Sequence, residues 1–262
     1  LRGGVGIFYD LGSGQAANAF SQGIFPYSST KQLINVPFPL SLANATPNLI
    51  SSVPSFSTVI AFDADLKLPY TVQFTAALEQ SLGTNQSVSA SYVAARGRRL
   101  IRREAFSALP AFSSISVFRN TATSDYDSLQ LQFQKRLSRR LQALASYVFS
   151  KSLDTASREN TVFASVARID PREDRGPSDF DIRHAFSAAV SYDLPVPNAG
   201  RVGNALLRGW SIDSIIRAQS AFPVNVVAGT PFLGVSNLAR PDLIERVSLY
   251  IDDPLLPGGR RI

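Results

Sequence analysis

The sequence lacks cysteine and methionine, and it holds a single histidine, His184, and a single tryptophan, Trp210. Without cysteine the chain can form no disulfide scaffold, no thiolate zinc site or iron–sulfur cluster, and no thiol nucleophile. With one histidine it cannot build a metal site from several imidazoles. Because the chain begins Leu1-Arg2-Gly3-Gly4 without a methionine, we expect it to be a piece cut from a longer protein.

Long apolar runs are also missing, although the chain is far from polar. A stretch of about 18 apolar residues, the length of a membrane-spanning helix, does not occur in the sequence. Yet hydrophobic residues make up 45% of the chain, with 17 phenylalanines and 8 tyrosines. This content excludes an intrinsically disordered chain.

The apolar residues alternate with polar ones, as in strands whose side chains point to opposite faces. Leu129, Leu131 and Phe133 alternate with Gln130, Gln132 and Gln134, for example. The same pattern predicts strands near residues 3–9, 70–81, 87–95, 126–136, 141–152, 186–192 and 210–217. Residues 126–152 also fit helical spacing, but the repeated hairpin rhythm of the chain favours strands there.

The connections between the predicted strands alternate between short and long. Leu82–Gln86 and Leu137–Arg140 are tight, and Leu194–Leu207 is intermediate. Leu11–Leu68, Gly97–Asp125, Leu153–Asp181 and the chain after about Ser220 are predicted as long loops. Short turns on one side and long loops on the other are typical of outer-membrane β-barrels, whose lipid-facing side chains are apolar and whose inner ones are polar. A soluble β-sandwich that packs its apolar faces together stays open as the alternative.

Two charged segments are the candidate sites. The basic run Arg96, Arg98, Arg99, Arg102 and Arg103 is a candidate contact for an extracellular ligand or for lipopolysaccharide, or a solvated loop base. No motif that predicts nucleic-acid binding accompanies it.

The loop around residues 170–183 holds Asp174, Arg175, Asp179, Asp181 and Arg183. Its arginines favour structural ion pairing over a calcium site, which needs several free carboxylates. His184 lacks a suitably placed nucleophile and orienting partner, so we expect a hydrogen-bonded strand-end residue and no catalysis.

Several stretches, in order along most of the chain, resemble the barrel region of TonB-dependent receptors of the Oar-like type. They are Leu1–Asp10, Tyr126–Leu131, Ser146–Asp154, Asp174–His184, Tyr192–Pro195, Leu207–Trp210 and Arg217–Pro223. The resemblance implies an antiparallel up-and-down transmembrane β-barrel, all-β, in the outer membrane of a Gram-negative bacterium. Members of this family carry a regulatory-like domain and a plug domain before a barrel of about 22 strands. Residues 1–262 therefore resemble one partial barrel domain without plug or regulatory-like domain.

The resemblance also implies a function. The intact protein would import a scarce extracellular ligand with energy relayed by TonB through its plug, with outer-membrane lipid and lipopolysaccharide as further partners. The long loops would contact the ligand, and neither a cofactor, nor a metal, nor an enzymatic activity is expected. A soluble carbohydrate-binding β-sandwich and a passive porin-like barrel are the alternatives.

Overall fold

The fold was examined in a computed structural model. It describes residues 1–10, 33–36, 38–46, 59–109, 112–138, 140–157, 161–162, 170–172, 174–195, 209–224, 228–232, 235–239, 244, 246, 248, 251–252, 254–255 and 260–261. Contacts divide the chain into two units, Leu1–Val224 and Asn225–Ile262.

The described residues form strands and one short helix, α1 (Leu42–Ala45). The strands of the first unit are β1 (Arg2–Tyr9), β2 (Val59–Phe62), β3 (Tyr70–Ser81), β4 (Gln86–Leu109), β5 (Phe112–Ser138), β6 (Leu141–Asp154), β7 (Thr161–Val162), β8 (Gly176–Pro177), β9 (His184–Asp193) and β10 (Ser211–Gln219). Those of the second unit are β11 (Ala228–Phe232), β12 (Val235–Ala239), β13 (Ile251–Asp252) and β14 (Arg260–Arg261). The predicted strands at residues 126–152 are confirmed, and no described helix has the length and hydropathy needed to cross a bilayer.

One open antiparallel sheet organises the first unit. Its strands pair in the order β1-β3-β4-β5-β6-β9-β10, while β2, β7 and β8 add to β5, β4 and β6. Neighbours along the main path are also neighbours along the chain, apart from the short added strands. This is the predicted all-β, up-and-down arrangement, and in the described residues the sheet does not close. In the second unit β11 pairs with β12 and β13 with β14.

Two tight turns and two long connections lie at opposite ends of the sheet, as predicted, but the two-residue connection between β4 and β5 lies at the same end as the long ones. At one end, called the turn side, residues 82–85 join β3 to β4 and residues 139–140 join β5 to β6. Gly83 (φ +74°) and Arg140 (φ +68°) adopt the left-handed backbone that such tight turns need. The longer connections 10–69 and 155–183 lie at the other end, called the loop side.

Two loop predictions are wrong. Residues 97–125 are not a loop, because β4 and β5 continue as a paired hairpin as far as Leu109↔Phe112. The short strands β7 and β2 pair in parallel with β4 and β5 of this hairpin and satisfy part of its outward-facing backbone groups. After Ser220 the chain is not all loop, since β11–β14 form two hairpins there. Of the predicted loop Leu11–Leu68, residues 11–32, 37 and 47–58 lie outside the described residues.

The strand register separates two faces of the sheet. The row through Leu131 is apolar across six strands: Leu78, Ala90, Leu131, Tyr147, Phe186 and Ala218. The row one residue away is polar across the same strands: Glu79, Ser89, Gln132, Ser146, Ser187 and Arg217. We call the surfaces that contain these rows the apolar face and the polar face. A single residue step thus exchanges one chemistry for the other, as the alternation predicts.

The apolar face slants across the strands. One row begins apolar at β1 and becomes charged by β5: Val5, Phe74, Ala94, Asp127 and Lys151. A row nearer the turn side begins polar at β3 and stays apolar to β10: Gln80, Val88, Phe133, Ala145, Ala188 and Ile216. The apolar band therefore moves toward the turn side from β1 to β10. Strands that cross a bilayer at a tilt of about 40° require such a shift, because rows at right angles to the strands are not level in the membrane.

The apolar face has no second layer packed on it in the described residues. Phe74, Leu131 and Ile216 keep 43%, 39% and 52% of their surface exposed. On β6 the apolar stretch from Leu141 to Phe149 spans about 26 Å along the strand, or about 20 Å of membrane thickness at the usual tilt. Buried hydrophobic packing instead lies on the loop side, where Ile60, Ile101 and Phe118 form a small core with Phe62 stacked on Phe118 at 5.0 Å.

Candidate functional site

Six charged residues form a cluster on the apolar-face side of β4–β6, just beyond the apolar band. We call it the rim cluster; its members are Arg96, Arg98, Asp125, Asp127, Lys151 and Arg175. Arg96 of β4 lies opposite Asp125 of β5, and Asp127 lies opposite Lys151 of β6. Register alone therefore brings together residues from three strands, and Arg175 joins them from the loop before β8.

The carboxylates of the rim cluster are each held by two neighbours. Arg96 donates from Nη2 to Asp127 Oδ1 at 2.7 Å, and Tyr92 donates its hydroxyl to the same oxygen at 2.5 Å. Asp125 receives Arg98 Nη2 on Oδ1 and Arg175 Nη1 on Oδ2, both at 2.7 Å. These charge-assisted contacts fix the aspartates and the arginines as one rigid group.

A row of three aromatic side chains and one leucine separates the rim cluster from the apolar band. Tyr92, Leu129, Phe149 and His184 lie directly opposite one another on β4, β5, β6 and β9. Tyr147, one row nearer the turn side, shares a hydrogen bond of 2.7 Å with His184 Nδ1. Aromatic residues with a polar tip are typical of the membrane–water interface. From the turn side outward, this part of the sheet thus presents apolar, aromatic and then charged side chains.

A second charged group, the buried network, lies farther out on the loop side. Arg102 and Glu104 of β4 have no exposed side-chain surface, and Arg102 Nη2 is 3.1 Å from Glu104 Oε1. Arg119 and Thr121 of β5 also donate to Glu104, at 3.3 and 2.6 Å. Asp174 binds Arg102 at 2.9 Å, and Asp63 binds Arg119 at 3.2 Å.

The charges of the buried network alternate in sign from Asp174 through Arg102, Glu104 and Arg119 to Asp63. The backbone N–H of Asp65 and then the guanidinium of Arg119 hydrogen-bond the Asp63 carboxylate, and they lower the pKa of Asp63 below its usual value. The network connects the β4–β5 hairpin to the loop before β3 and the loop before β8. The buried network therefore holds these two loops against the hairpin.

The five predicted basic residues do not form one surface. Arg96 and Arg98 belong to the rim cluster, whereas Arg102 is buried in its network. Arg99, at φ +55°, extends over the ring of Tyr70 at 5.5 Å. Burial lowers the pKa of the half-buried Arg103, whose Nε has no hydrogen-bond partner among the described residues. A β-bulge between Gly97 and Arg102 causes this separation, because the register shifts twice there.

The predicted charged loop pairs partly with distant strands. Arg183 binds the buried Asp181 at 3.1 Å, and Asp181 also accepts the Ser152 backbone N–H at 2.7 Å. Asp174 and Arg175, however, pair with Arg102 and Asp125, while the Asp179 N–H donates to Ser157. Among the described residues, no group of three or more His, Cys, Asp or Glu side chains is placed to hold a metal ion. His184 is the first residue of β9 and is hydrogen-bonded, as predicted for a strand-end residue.

Sequence reasoning missed Asp63, Glu104, Arg119, Asp125 and Asp127 as members of these charged groups. A signal for part of them exists in the spacing. Arg96 and Arg98 stand two apart, as do Asp125 and Asp127 and, with opposite charges, Arg102 and Glu104. Residues two apart on a strand share a face, so the first two pairs in facing strands predict ion pairs once the hairpin register is known.

Replacing Gly97 with alanine is expected to loosen the bulge of β4 that begins at this residue. An added Cβ would collide with Ser124 Oγ and lie 2.9 Å from Leu100 Cδ1. Overpacking of this kind costs about 1–3 kcal/mol of unfolding free energy, to be measured by urea unfolding of the intact protein. Ser124→Ala in the same variant should recover part of the loss, and an unchanged midpoint for Gly97→Ala alone would contradict the predicted clash.

Comparisons with known proteins identify one family and one similar solved structure. The outer membrane beta barrel domain family matches residues 1–261 of the chain. Among solved structures, the outer membrane transporter YddB from Escherichia coli is similar at 19% identity with a TM-score of 0.43. That alignment covers 54% of this chain and 20% of YddB, so the chain matches about a fifth of that protein's length. No curated protein matches the chain in sequence. With nearly its whole length matched, the chain belongs to the outer membrane beta barrel domain family, and its place is the outer membrane.

Proposed function

We propose that the chain is a segment of the barrel wall of a TonB-dependent outer-membrane receptor and transporter that takes up a scarce ligand. The observation that carries the proposal is the division of the sheet into a slanted apolar face and a second face that is mainly polar on β3–β5 and mixed on β6–β10, where Leu144, Val148 and Ile215 lie among polar residues. Lipid covers the first face, and the second borders the interior of the barrel. The ordered resemblance to Oar-like receptors supports the same reading.

The polar face suits an interior that holds a plug and lets a hydrated ligand pass. Its centre on β5 is formed by Gln130, Gln132 and Gln134, with Ser87, Ser89 and Ser91 directly opposite on β4. Amide and hydroxyl groups both donate and accept hydrogen bonds, so they can contact a protein plug or water without a fixed charge. This central part of the lining carries no formal charge, whereas Glu79 on β3 and Arg217 on β10 are charged residues of the same face.

The loop-side hairpin would contribute to ligand capture. β4 and β5 extend beyond the rim cluster to Leu109 and Phe112, and the buried network fastens the neighbouring loops to them. A rigid hairpin with attached loops is a suitable scaffold for binding outside the membrane. The half-buried Arg103 is the candidate for contact with an acidic group on the ligand, because no carboxylate among the described residues pairs with it.

A passive porin-like barrel is the second candidate, because a polar interior and a lipid-facing band serve it equally well. It differs from the first in lacking a plug and a segment that contacts TonB. The third reading, a soluble β-sandwich, is disfavoured by the uncovered apolar face, where Leu131 and Ile216 remain exposed. In a sandwich, both would be packed against a second sheet.

Binding to TonB separates the first two candidates. The intact protein is purified in detergent and titrated with the soluble periplasmic part of TonB from the same bacterium, with a porin of that bacterium as the control. We expect saturable binding to the intact protein and none to the porin. Growth of the deletion strain on media limited in turn for iron, cobalamin, glycan or peptide would then identify the ligand class. Absence of TonB binding would contradict the proposal and favour the passive barrel.

A further inference from the structure

The rim cluster faces lipid and not the interior of the barrel. Arg96 and Asp125 are cross-strand partners in the same row as Val72 and Ile7, and Lys151 shares its row with Asp127, Ala94 and Phe74. All of these rows belong to the apolar face. The charged side chains therefore project from the same surface that meets the acyl chains, one level farther out.

The level of the rim cluster matches that of lipid headgroups. Lys151 follows Phe149 by two residues on the same face of β6, which places it about 7 Å farther along the strand. Phe149 and Tyr92 belong to the aromatic row that marks the membrane interface. A side chain one row beyond that interface meets the phosphates of the outer leaflet, where single charges have strong electrostatic effects.

The rim cluster carries more positive than negative charge. Its four cations, Arg96, Arg98, Lys151 and Arg175, face two carboxylates, Asp125 and Asp127. Both carboxylates are occupied by arginines or by Tyr92. Lys151 is exposed and has no carboxylate partner within the described part of the chain. The fixed arginines thus provide a rigid positive surface, and Lys151 adds a flexible cation at its edge.

We propose that the rim cluster binds the phosphate groups of outer-leaflet lipopolysaccharide, with the lipid's acyl chains lying on the adjacent apolar face. Arginine and lysine are the usual phosphate ligands. Because Nη1 and Nη2 of Arg96 and Arg98 already donate to carbonyls and carboxylates, these arginines supply fixed positive charge, and Lys151 supplies the direct contact as a point charge. Continuity with the apolar face favours a lipid over free phosphate, because Phe149 and Leu129 continue the surface that the acyl chains would cover. The proposal rests on the outer-membrane placement of the chain and is independent of transport or of TonB.

The test is retention of lipid A, the phosphorylated anchor of lipopolysaccharide, by the intact protein in detergent, measured by native mass spectrometry. The variants are Lys151→Gln, the conservative Lys151→Arg, and Lys135→Gln as the matched control. Lys135 lies on the same face of β5 but at the turn side, opposite Ala143. One cation near a membrane surface contributes an amount that corresponds to about a fivefold change in affinity. We therefore expect Lys151→Gln to weaken lipid A binding about fivefold and the other two variants to leave it nearly unchanged.

Dephosphorylated lipid A distinguishes headgroup binding from acyl-chain binding. It should bind the unmodified protein more weakly than lipid A does and should no longer distinguish Lys151→Gln from the unmodified protein. Equal retention of both lipids would overturn the proposal, since it would assign the contact to acyl chains alone. An equal loss in Lys135→Gln would also overturn it, because any cation on this face would then serve. Displacement of lipid A by millimolar inorganic phosphate would assign the site to free phosphate.

Discussion

A Leu131→Arg variant of the intact protein is expected to assemble poorly in the outer membrane, whereas Gln132→Arg should assemble almost normally. Leu131 lies in the middle of the apolar row, flanked by Ala90 and Tyr147 on the neighbouring strands. An arginine facing lipid near the middle of a bilayer costs about 2–4 kcal/mol in a β-barrel. Gln132 lies on the polar face, where Ser89 and Ser146 flank it and an arginine can remain hydrated.

The two variants differ by one position and carry the same new side chain, so each is the control for the other. The folded fraction is measured in isolated outer membranes as the fraction that migrates as compact barrel without heating, and stability is measured by urea unfolding. Similar behaviour of both variants would contradict the assignment of the two faces. A stronger defect for Gln132→Arg would reverse it.

Replacing Glu104 with alanine is expected to release the loop-side elements from the β4–β5 hairpin. Glu104 is fully buried and accepts from Arg102, Arg119 and Thr121. Its removal leaves the buried Arg102 with the partly exposed Asp174 as its remaining ion partner. Removing one partner of a buried ion pair typically costs about 3–5 kcal/mol. We expect this loss of stability to appear as local opening of the loop-side elements. Hydrogen exchange of the amides of β2 and of residues 100–104 should report it.

The matched control for Glu104→Ala is Glu79→Ala. Glu79 also pairs with an arginine, Arg2, at 2.9 Å, but both side chains are largely exposed, so the pair should contribute at most about 1 kcal/mol. Its removal should leave hydrogen exchange at β2 and β4 unchanged. If Glu104→Ala also left the exchange of β2 unchanged, the buried network would not be what fastens the loop-side elements.

The membrane part of the fold could be predicted from the sequence because lipid and water impose opposite demands on successive residues. Leu129 to Gln134 show this alternation without interruption, and the structure places them on opposite faces. Beyond Gly97 the hairpin no longer crosses lipid, so nothing requires one face to be apolar. Arg102, Arg103 and Glu104 follow one another there, and a run of charges indicates a loop as readily as a strand. The continuation of β4 and β5 was therefore not predictable from alternation.

The candidate site was less predictable than the fold because it depends on pairing between distant segments. The cationic run was visible, but the bulge after Gly97 sends Arg98 to the rim cluster and Arg102 to the buried network. The location of a bulge depends on the backbone of two strands together. The partners Asp63 and Asp174 come from loops whose return to the hairpin has no periodic signal in the sequence.

Because the apolar band ends at charged residues on the loop side, misaligned pairing during assembly is unfavourable for odd and even slips alike. A slip of β5 by one residue against β4 would turn Gln132 toward hydrocarbon. A slip by two toward the turn side would keep the faces but carry Asp127 to the depth now occupied by Leu129, where an ionised group is expensive. In water, a two-faced sheet without such a boundary would disfavour only the odd slip, because only that slip exchanges its faces. The charged boundary of the band thus disfavours misalignment of the β4–β5 hairpin as it enters the bilayer.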